Sequence, residues 1–226
     1  MTMLTFDYAL HGHDVPDAIV EAHRAAWVRM AGPGSWWTGT QRVEMGRLAR
    51  EARIQRNDPP WLRDGAPALS ECLPERAADV VRRVAADVHS IDKAWAMACI
   101  EELGDAAYVE ICALTVCVTA IDAFAEALGV PMEELPQALP GDPDGLRPEG
   151  TTHVGAFVSM TEPFGGPNVA RALSLAPGDN MAFFGLVASM YAMADFQDLI
   201  WTNRPLSRPQ VELVAARVSA INECFY

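Results

Sequence analysis

Apolar residues recur at every third or fourth position along most of the chain, which is the pattern of helices that bury one face. The first such segment runs from about Asp17 to Met30 and stops at Gly32-Pro33-Gly34. Thr38 and Gln41 then have the spacing of a capping box, so they predict a second helix from about Gly39 to Arg56. The pattern indicates an all-α fold.

Six further helices are expected on the same grounds. Their predicted spans are Pro74 to His89, Ile91 to Leu103, Asp105 to Leu128, Val169 to Leu175, Met181 to Ile200 and Arg208 to Tyr226. Asp105 is the expected N-cap of the longest helix, and Ser207 with Gln210 predicts a capping box at the start of the last. The alternating stretch Val154 to Met160 is the only strand candidate.

Proline and glycine divide the chain. Residues 129–168 contain seven prolines and seven glycines, a density that interrupts long helices and central strands. We therefore divide the sequence into an N-terminal helical block (1–128), a connector (129–168) and a C-terminal helical segment (169–226), which together form one compact domain. A shift of 168 residues aligns Val43-Glu44-Met45 with Val211-Glu212-Leu213, a weak indication of two degenerate helical repeats.

Charge and composition exclude several classes of protein. The formal net charge of −13 disfavours nucleic acid and membrane surfaces as partners. The N-terminus lacks the pattern of a signal peptide. The long apolar helix carries Glu110, Asp122 and Glu126, so we interpret it as a core helix rather than a membrane span. Five widely spaced cysteines form no disulfide pattern, which favours a reducing cytoplasm.

The last predicted helix carries the most specific motif. Glu212 precedes Cys224 by twelve residues, and Val218-Ser219-Ala220-Ile221-Asn222 leads into the cysteine. This pattern resembles the signature of the alkylhydroperoxidase D and carboxymuconolactone decarboxylase families, in which a glutamate stands twelve residues before a Cys-x-x-Cys-x-x-x-His motif. Trp36-Trp37-Thr38-Gly39 and Tyr108-Val109-Glu110 resemble, more loosely, the N-terminal part of longer alkylhydroperoxidase-like proteins. The resemblance implies a helical bundle of the alkylhydroperoxidase D kind.

The same resemblance implies a thiol peroxidase. In the family the second cysteine attacks the peroxide as a thiolate, and the first, matched by Cys224, closes the disulfide that resolves the sulfenic acid. The glutamate, matched by Glu212, relays protons together with the histidine. The sequence ends at Tyr226, so the second cysteine and the histidine are not in it. The implied substrate is a small-molecule peroxide and the implied reductant a dithiol, with no cofactor and no metal.

The residues themselves place one condition on this site. Twelve residues of straight helix span about 18 Å and end about 120° around the axis, so Glu212 and Cys224 cannot meet unless the chain bends between them. We expect the break at Asn222, because asparagine caps a new helix well. Cys224 would then lie in the first turn of a following helix, where backbone amides lower a thiol pKa.

Two other functions stay open. A cofactor-free decarboxylase of the carboxymuconolactone type would transfer protons through glutamate and histidine, and a non-catalytic helical subunit would only assemble. The last helix has a continuous apolar stripe, so we expect a homo-oligomer or a piece of a longer protein. Glu110 and Cys117 share a helix face, and we interpret Glu110 as a satisfied buried carboxylate rather than half of a catalytic pair.

Overall fold

The computed structural model describes residues 6–56, 70–162, 168–192, 200–201 and 204–222, and these residues are mostly helical. The α-helices are α1 (Asp17–Ala31), α2 (Gly39–Gln55), α3 (Glu75–Ala86), α4 (Lys93–Leu103), α5 (Asp105–Leu128), α6 (Asn168–Arg171), α7 (Pro177–Leu186) and α8 (Arg208–Ile221). Short 3-10 turns cover Tyr8–His11 and Val88–Ser90, and α7 continues as a π-helical segment over Val187–Ala192. The predicted all-α fold is confirmed.

Capping boxes begin the helices where the sequence places them. In α2 the Gln41 N–H donates to Thr38 Oγ1 at 3.3 Å, and the Thr38 N–H donates to Gln41 Oε1 at 3.0 Å. In α8 the Ser207 N–H donates to Gln210 Oε1 at 2.8 Å. These bonds satisfy backbone groups that have no partner within the first turn, which is why both predicted starts are correct.

Other helix ends differ from the prediction by a few residues. Helix α4 begins at Lys93, because the Asp92 side chain accepts the Trp95 N–H at 2.8 Å and so acts as the N-cap. Asp105 is the first residue of α5 rather than its cap, and Gly104 precedes it with a φ of +85°. A side chain at that backbone conformation would be strained, so glycine is required at the α4–α5 corner.

The C-terminal segment departs further from prediction. The helix expected over Val169 to Leu175 is reduced to the single turn of α6. The helix expected from Met181 begins earlier, at Pro177, because proline fits the first turn of a helix, and it becomes π-helical at Val187. Residues 193–199, the rest of that predicted helix, lie outside the described residues.

The strand predicted over Val154 to Met160 is wrong over most of its length. Two strands of two residues flank that stretch instead, β1 (Thr151–Thr152) and β2 (Met160–Thr161), and they pair antiparallel. The Gly150 carbonyl accepts the Glu162 N–H at 2.9 Å and closes the loop. The alternation of side chains therefore marks a loop with a small antiparallel pair at its base.

Helix α5 lies at the centre of the described bundle. Helices α2, α3 and α7 pack on it, and its buried apolar residues include Ile111, Leu114, Val118 and Ile121. It is long and apolar enough to cross a membrane by length and composition alone, but a buried core helix passes the same test. Its packing agrees with the interpretation as a core helix.

The proline-rich connector after α5 packs on α1 and α2 through hydrogen bonds. The Leu139 N–H donates to the Ala31 carbonyl at 2.8 Å, and the Trp27 indole donates to the Glu134 carbonyl at 2.9 Å. Gly39 lies so close that a Cβ there would be 2.5 Å from the Leu139 carbonyl oxygen. A chain without regular structure is held here by its backbone groups rather than by secondary structure.

Helices α2 and α8, which the weak repeat would equate, begin in the same way but differ in burial. Counted from their N-caps, Glu212 corresponds to Val43 rather than Glu44, one residue away from the shift of 168. Helix α2 buries residues along its length, whereas α8 buries none. The two helices share a capping box, but they do not share a buried environment.

Candidate active site

Glu212 lies in the second turn of α8 with its carboxylate open to solvent. The side chain is 46% exposed, and its Oε1 accepts a hydrogen bond from Arg208 Nε at 3.2 Å. Arg208 stands one turn earlier on the same helix, which is the spacing that lets two side chains meet. Glu212 is therefore accessible to a small molecule and has a cation beside it.

Tyr191 joins this pair from the π-helical segment. Its hydroxyl donates a hydrogen bond to Glu212, and burial together with the negative charge of Glu212 raises the pKa of Tyr191. A phenol that stays protonated is a hydrogen-bond donor to the carboxylate throughout the neutral range. π-Helical turns are rare and occur frequently at functional sites.

A buried tryptophan holds the cluster together. Trp201 is 7% exposed, and its ring meets that of Tyr191 edge-on, with centroids 6.2 Å apart. The guanidinium groups of Arg204 and Arg208 lie 4.3 and 5.7 Å from its centroid. Arg204 also donates to the Tyr191 carbonyl. We call these five residues, Tyr191, Trp201, Arg204, Arg208 and Glu212, the Glu212 cluster.

The residue before Tyr191 ties the π-helical segment to the core. His23 Nε2 lies 3.0 Å from Met190 Sδ, and His23 Nδ1 lies 2.7 Å from the Tyr8 hydroxyl. Because a thioether has no proton to give, Nε2 carries the hydrogen of the neutral ring and Nδ1 accepts from Tyr8. Burial lowers the pKa of His23 to about 4, so the ring is neutral at physiological pH.

Cys224, the second residue of the predicted site, lies outside the described residues. Helix α8 ends at Ile221, and Asn222 is its C-cap, so the regular helix stops where a break is expected. Glu212 stands about 14 Å before that end, and the three residues to Cys224 span at most about 11 Å. Cys224 can therefore approach Glu212 of its own chain only if the backbone reverses after Ile221.

The outward side of α8 is apolar and uncovered within the described residues. Leu213, Val214, Val218 and Ile221 are each at least half exposed. Isolated exposed apolar side chains are ordinary, but four on one short helix form a patch of the kind that other protein surfaces cover. The expected homo-oligomer stays a prediction.

Four cysteines lie within the described residues, and three of them are poor nucleophiles. Burial raises the pKa of Cys112 and Cys117 to about 12, and it also raises the pKa of Cys99. Cys72 is exposed and lies 3.7 Å from Ser70 Oγ. Only a thiolate attacks a peroxide or an alkylating reagent, so the helical thiols are protected.

We predict that a limiting amount of iodoacetamide labels Cys224 first, Cys72 second and the three helical cysteines last. A thiol pKa raised by three units leaves roughly 1,000-fold less thiolate at neutral pH. Peptide mass spectrometry of the native protein measures the order, and labelling in urea provides the control for intrinsic reactivity. Preferential modification of Cys72 or Cys99 would contradict the prediction for Cys224.

A second polar centre, which the sequence analysis missed, lies inside the bundle. Arg42 is fully buried, and its two terminal nitrogens bind Glu110 Oε1 and Asp179 Oδ1, each at 2.5 Å. Arg29 reaches Asp179 from outside, with Nη2 3.1 Å from Oδ2. Two guanidinium groups and two carboxylates thus form a neutral network between α1, α2, α5 and α7.

Glu110 is held from a second direction by the loop before α2. The N–H groups of Ser35 and Trp36 donate to its Oε2 at 3.0 and 2.9 Å. A Cβ on Gly34 would lie 1.7 Å from Oε1, so any other residue there would force the Glu110 carboxylate to move. Burial raises the pKa of Glu110, and the charge of Arg42 opposes the shift. The interpretation of Glu110 as a satisfied buried carboxylate is confirmed.

One signal in the sequence could have revealed Arg42. It precedes Met45 by three positions and Ala49 by seven, which puts a charge on the buried face of α2. A charge on such a face requires an opposite charge from another element. Asp179 has no comparable signal, because it lies in the first turn of α7, where acidic residues are common for local reasons.

No family model, curated protein or solved structure matches the chain. Within the described part of the chain, no group of three or more histidine, cysteine, aspartate or glutamate side chains is placed to hold a metal ion. The features that bear on function are therefore Glu212 and its neighbours, together with the motif that leads to Cys224.

Proposed function

We propose that the Glu212 cluster and Cys224 form part of a thiol peroxidase site of the alkylhydroperoxidase kind. The overall reaction takes a hydroperoxide and two thiols to an alcohol, water and a disulfide. One thiolate attacks the peroxide, the O–O bond breaks, and the alcohol leaves with a proton. The sulfenic acid so formed then reacts with the second thiol, which releases water as the S–S bond closes.

The resemblance gives Cys224 the role of the resolving thiol, and a partner cysteine of the same or another chain supplies the thiolate that attacks the peroxide. Glu212 accepts the proton of the Cys224 thiol, because only the thiolate displaces hydroxide from a sulfenic acid. The Tyr191 hydroxyl holds the carboxylate in place by its hydrogen bond. The observation that carries the proposal is the twelve-residue spacing of Glu212 and Cys224 together with a solvent-open Glu212 carboxylate.

The burial of the other thiols supports this assignment. Cys99, Cys112 and Cys117 are held in the helical block with raised pKa values, so they are unsuited to exchange with a sulfenic acid. Cys72 is exposed on the segment that precedes α3, and the neighbour described for its sulfur is Ser70 Oγ. Cys224 is the cysteine that the motif pairs with a glutamate.

The test supplies the partner thiol as a small molecule. The protein is treated with tert-butyl hydroperoxide and 2-mercaptoethanol, and the mixed disulfide at each cysteine is followed by peptide mass spectrometry. We expect it to form fastest at Cys224 and to slow about tenfold or more in Glu212→Gln, a loss of the size that general-base catalysis contributes. Cys72→Ser is the matched control and leaves the rate at Cys224 unchanged.

Two outcomes would contradict the proposal. One is a mixed disulfide that forms at Cys224 equally fast in Glu212→Gln and in the wild type. The other is a mixed disulfide that forms faster at Cys72 or at a helical cysteine than at Cys224. Loss of the ultraviolet absorbance of a lactone acid, with no dependence on Cys224, would instead indicate the decarboxylase.

A further inference from the structure

A cavity of about 290 Å³ opens on the side of the bundle formed by the C-terminal half of α5. The turn Tyr8–His11 forms one wall, and the start of the connector forms the other. Its apolar surface includes Phe6, Ile121, Ala125 and Val130. The volume is near the lower end of the range for small-molecule sites, so it suits a ligand of few atoms.

Most polar side chains that line this cavity are hydrogen-bond acceptors, and the His11 imidazole is the exception. The Tyr8 hydroxyl gives its proton to His23 Nδ1, which leaves the phenol oxygen free only to accept. Asp122 is held by Arg50 from the far side, with both N–O distances 2.8 Å. The Phe6 N–H, a donor at the cavity, is already bonded to Glu133 Oε2 at 2.8 Å.

Negative charge exceeds positive charge at the cavity. Four carboxylates line it, those of Asp7, Asp122, Glu133 and Glu134, and no lysine or arginine of the described chain does so. The negative charge also acts on the buried Tyr8, because burial and the charges of Glu133 and Asp122 raise the pKa of Tyr8 to about 12. The net charge of −13 adds to the same field.

We propose that this cavity binds a small organic cation, an ammonium group carried on an apolar body. The ammonium donates hydrogen bonds to the carboxylates, and the apolar body covers Ile121, Ala125 and Val130. A metal ion fits less well, because the described carboxylates do not converge as a metal-ligating group. The proposal is independent of the thiol chemistry at Glu212.

The test uses three probes of one shape. Benzylammonium, benzyl alcohol and benzoate share the aromatic body and differ in charge, and their dissociation constants are measured by calorimetry at pH 7. We expect benzylammonium to bind at least about tenfold more tightly than benzyl alcohol, a difference of about 1.4 kcal/mol, and benzoate not to bind. Binding of benzylammonium weakens as salt is added, because the attraction is partly electrostatic.

Three variants locate the site. Glu133→Gln keeps an oxygen that accepts the Phe6 N–H but removes the charge, and Ala125→Leu fills the apolar wall, so each weakens benzylammonium binding. Glu101→Gln removes one charge from an exposed position on α4 and leaves binding unchanged. Equal affinity for benzyl alcohol and benzylammonium, equal loss in Glu133→Gln and Glu101→Gln, or no binding of benzylammonium at millimolar concentration would each overturn the proposal.

Discussion

Replacement of Arg42 by methionine is expected to destabilise the protein by about 3–5 kcal/mol, the usual cost of removing one partner from a buried ion pair. The change leaves Glu110 and Asp179 about 99% and 96% buried with their shared counter-charge gone. Arg29 still neutralises Asp179 from the surface, but Glu110 keeps only the N–H groups of the loop before α2. Urea denaturation monitored by circular dichroism measures the loss.

The same variant has a distinctive dependence on pH. Without Arg42 the main opposing influence on the raised pKa of Glu110 is gone, so the pKa rises further. The folded state then binds more protons than the unfolded state, and stability increases as the pH falls towards 5. The destabilisation measured at pH 7.5 is therefore larger than that measured at pH 5.

Arg47→Met is the matched control for this change. Arg47 lies on the same helix and pairs with Glu44 and Glu51, but its side chain is 46% exposed. Exposed pairs contribute less than about 1 kcal/mol, so this variant stays close to the wild type at both pH values. A loss below about 1 kcal/mol for Arg42→Met would show that the buried network is not required for stability.

The second large effect is a loss of stability at low pH that depends on His23. Burial lowers the pKa of His23 from 6.5 to about 4. Between pH 6.5 and pH 4, His23 is therefore protonated in the unfolded state but neutral in the folded state. The stability that depends on neutral His23 is complete above pH 6.5 and is lost as the pH falls to about 4. The shift corresponds to about 3 kcal/mol.

Glutamine at position 23 isolates this contribution from the titration of carboxylates. His23→Gln is less stable than the wild type at pH 7.5, because it loses the paired bonds to Tyr8 and Met190. The difference in unfolding free energy between the wild type and His23→Gln narrows by about 3 kcal/mol, or changes sign, by pH 4. His153→Gln, which replaces an exposed histidine, is the control, and its unfolding free energy differs from that of the wild type by the same amount at both pH values. A constant difference for His23→Gln over the same range would exclude a neutral buried His23.

Most of the helices were predictable because their signals are local. The Thr38–Gln41 box, the Ser207–Gln210 box and the glycine after Leu103 each act through backbone groups within one turn. The π-helical segment, by contrast, involves a contact with a distant part of the chain. Met190 lies in a π turn and bonds to His23, a residue 167 positions earlier that no local pattern connects with it.

The candidate site likewise has local features, which the sequence predicted, and long-range contacts, which it did not. The sequence placed Glu212 on a helix expected to run from Arg208 to Tyr226, with a break expected at Asn222, and α8 ends at Ile221. It could not predict that Tyr191 and Trp201 pack beside Glu212, because these residues come from a different segment. The relation of Glu212 to Cys224 stays a prediction from their spacing.

By itself, the sequence determined the all-α class, the order of the main helices and the capping of their first turns, since periodicity and caps act over three or four residues. The tertiary structure alone decided which charges meet. Arg42, Glu110 and Asp179 are separated by 68 and 69 positions and lie on three helices, yet one buried guanidinium binds both carboxylates. Burial makes that choice, because a charge removed from water requires an opposite charge wherever the fold provides one.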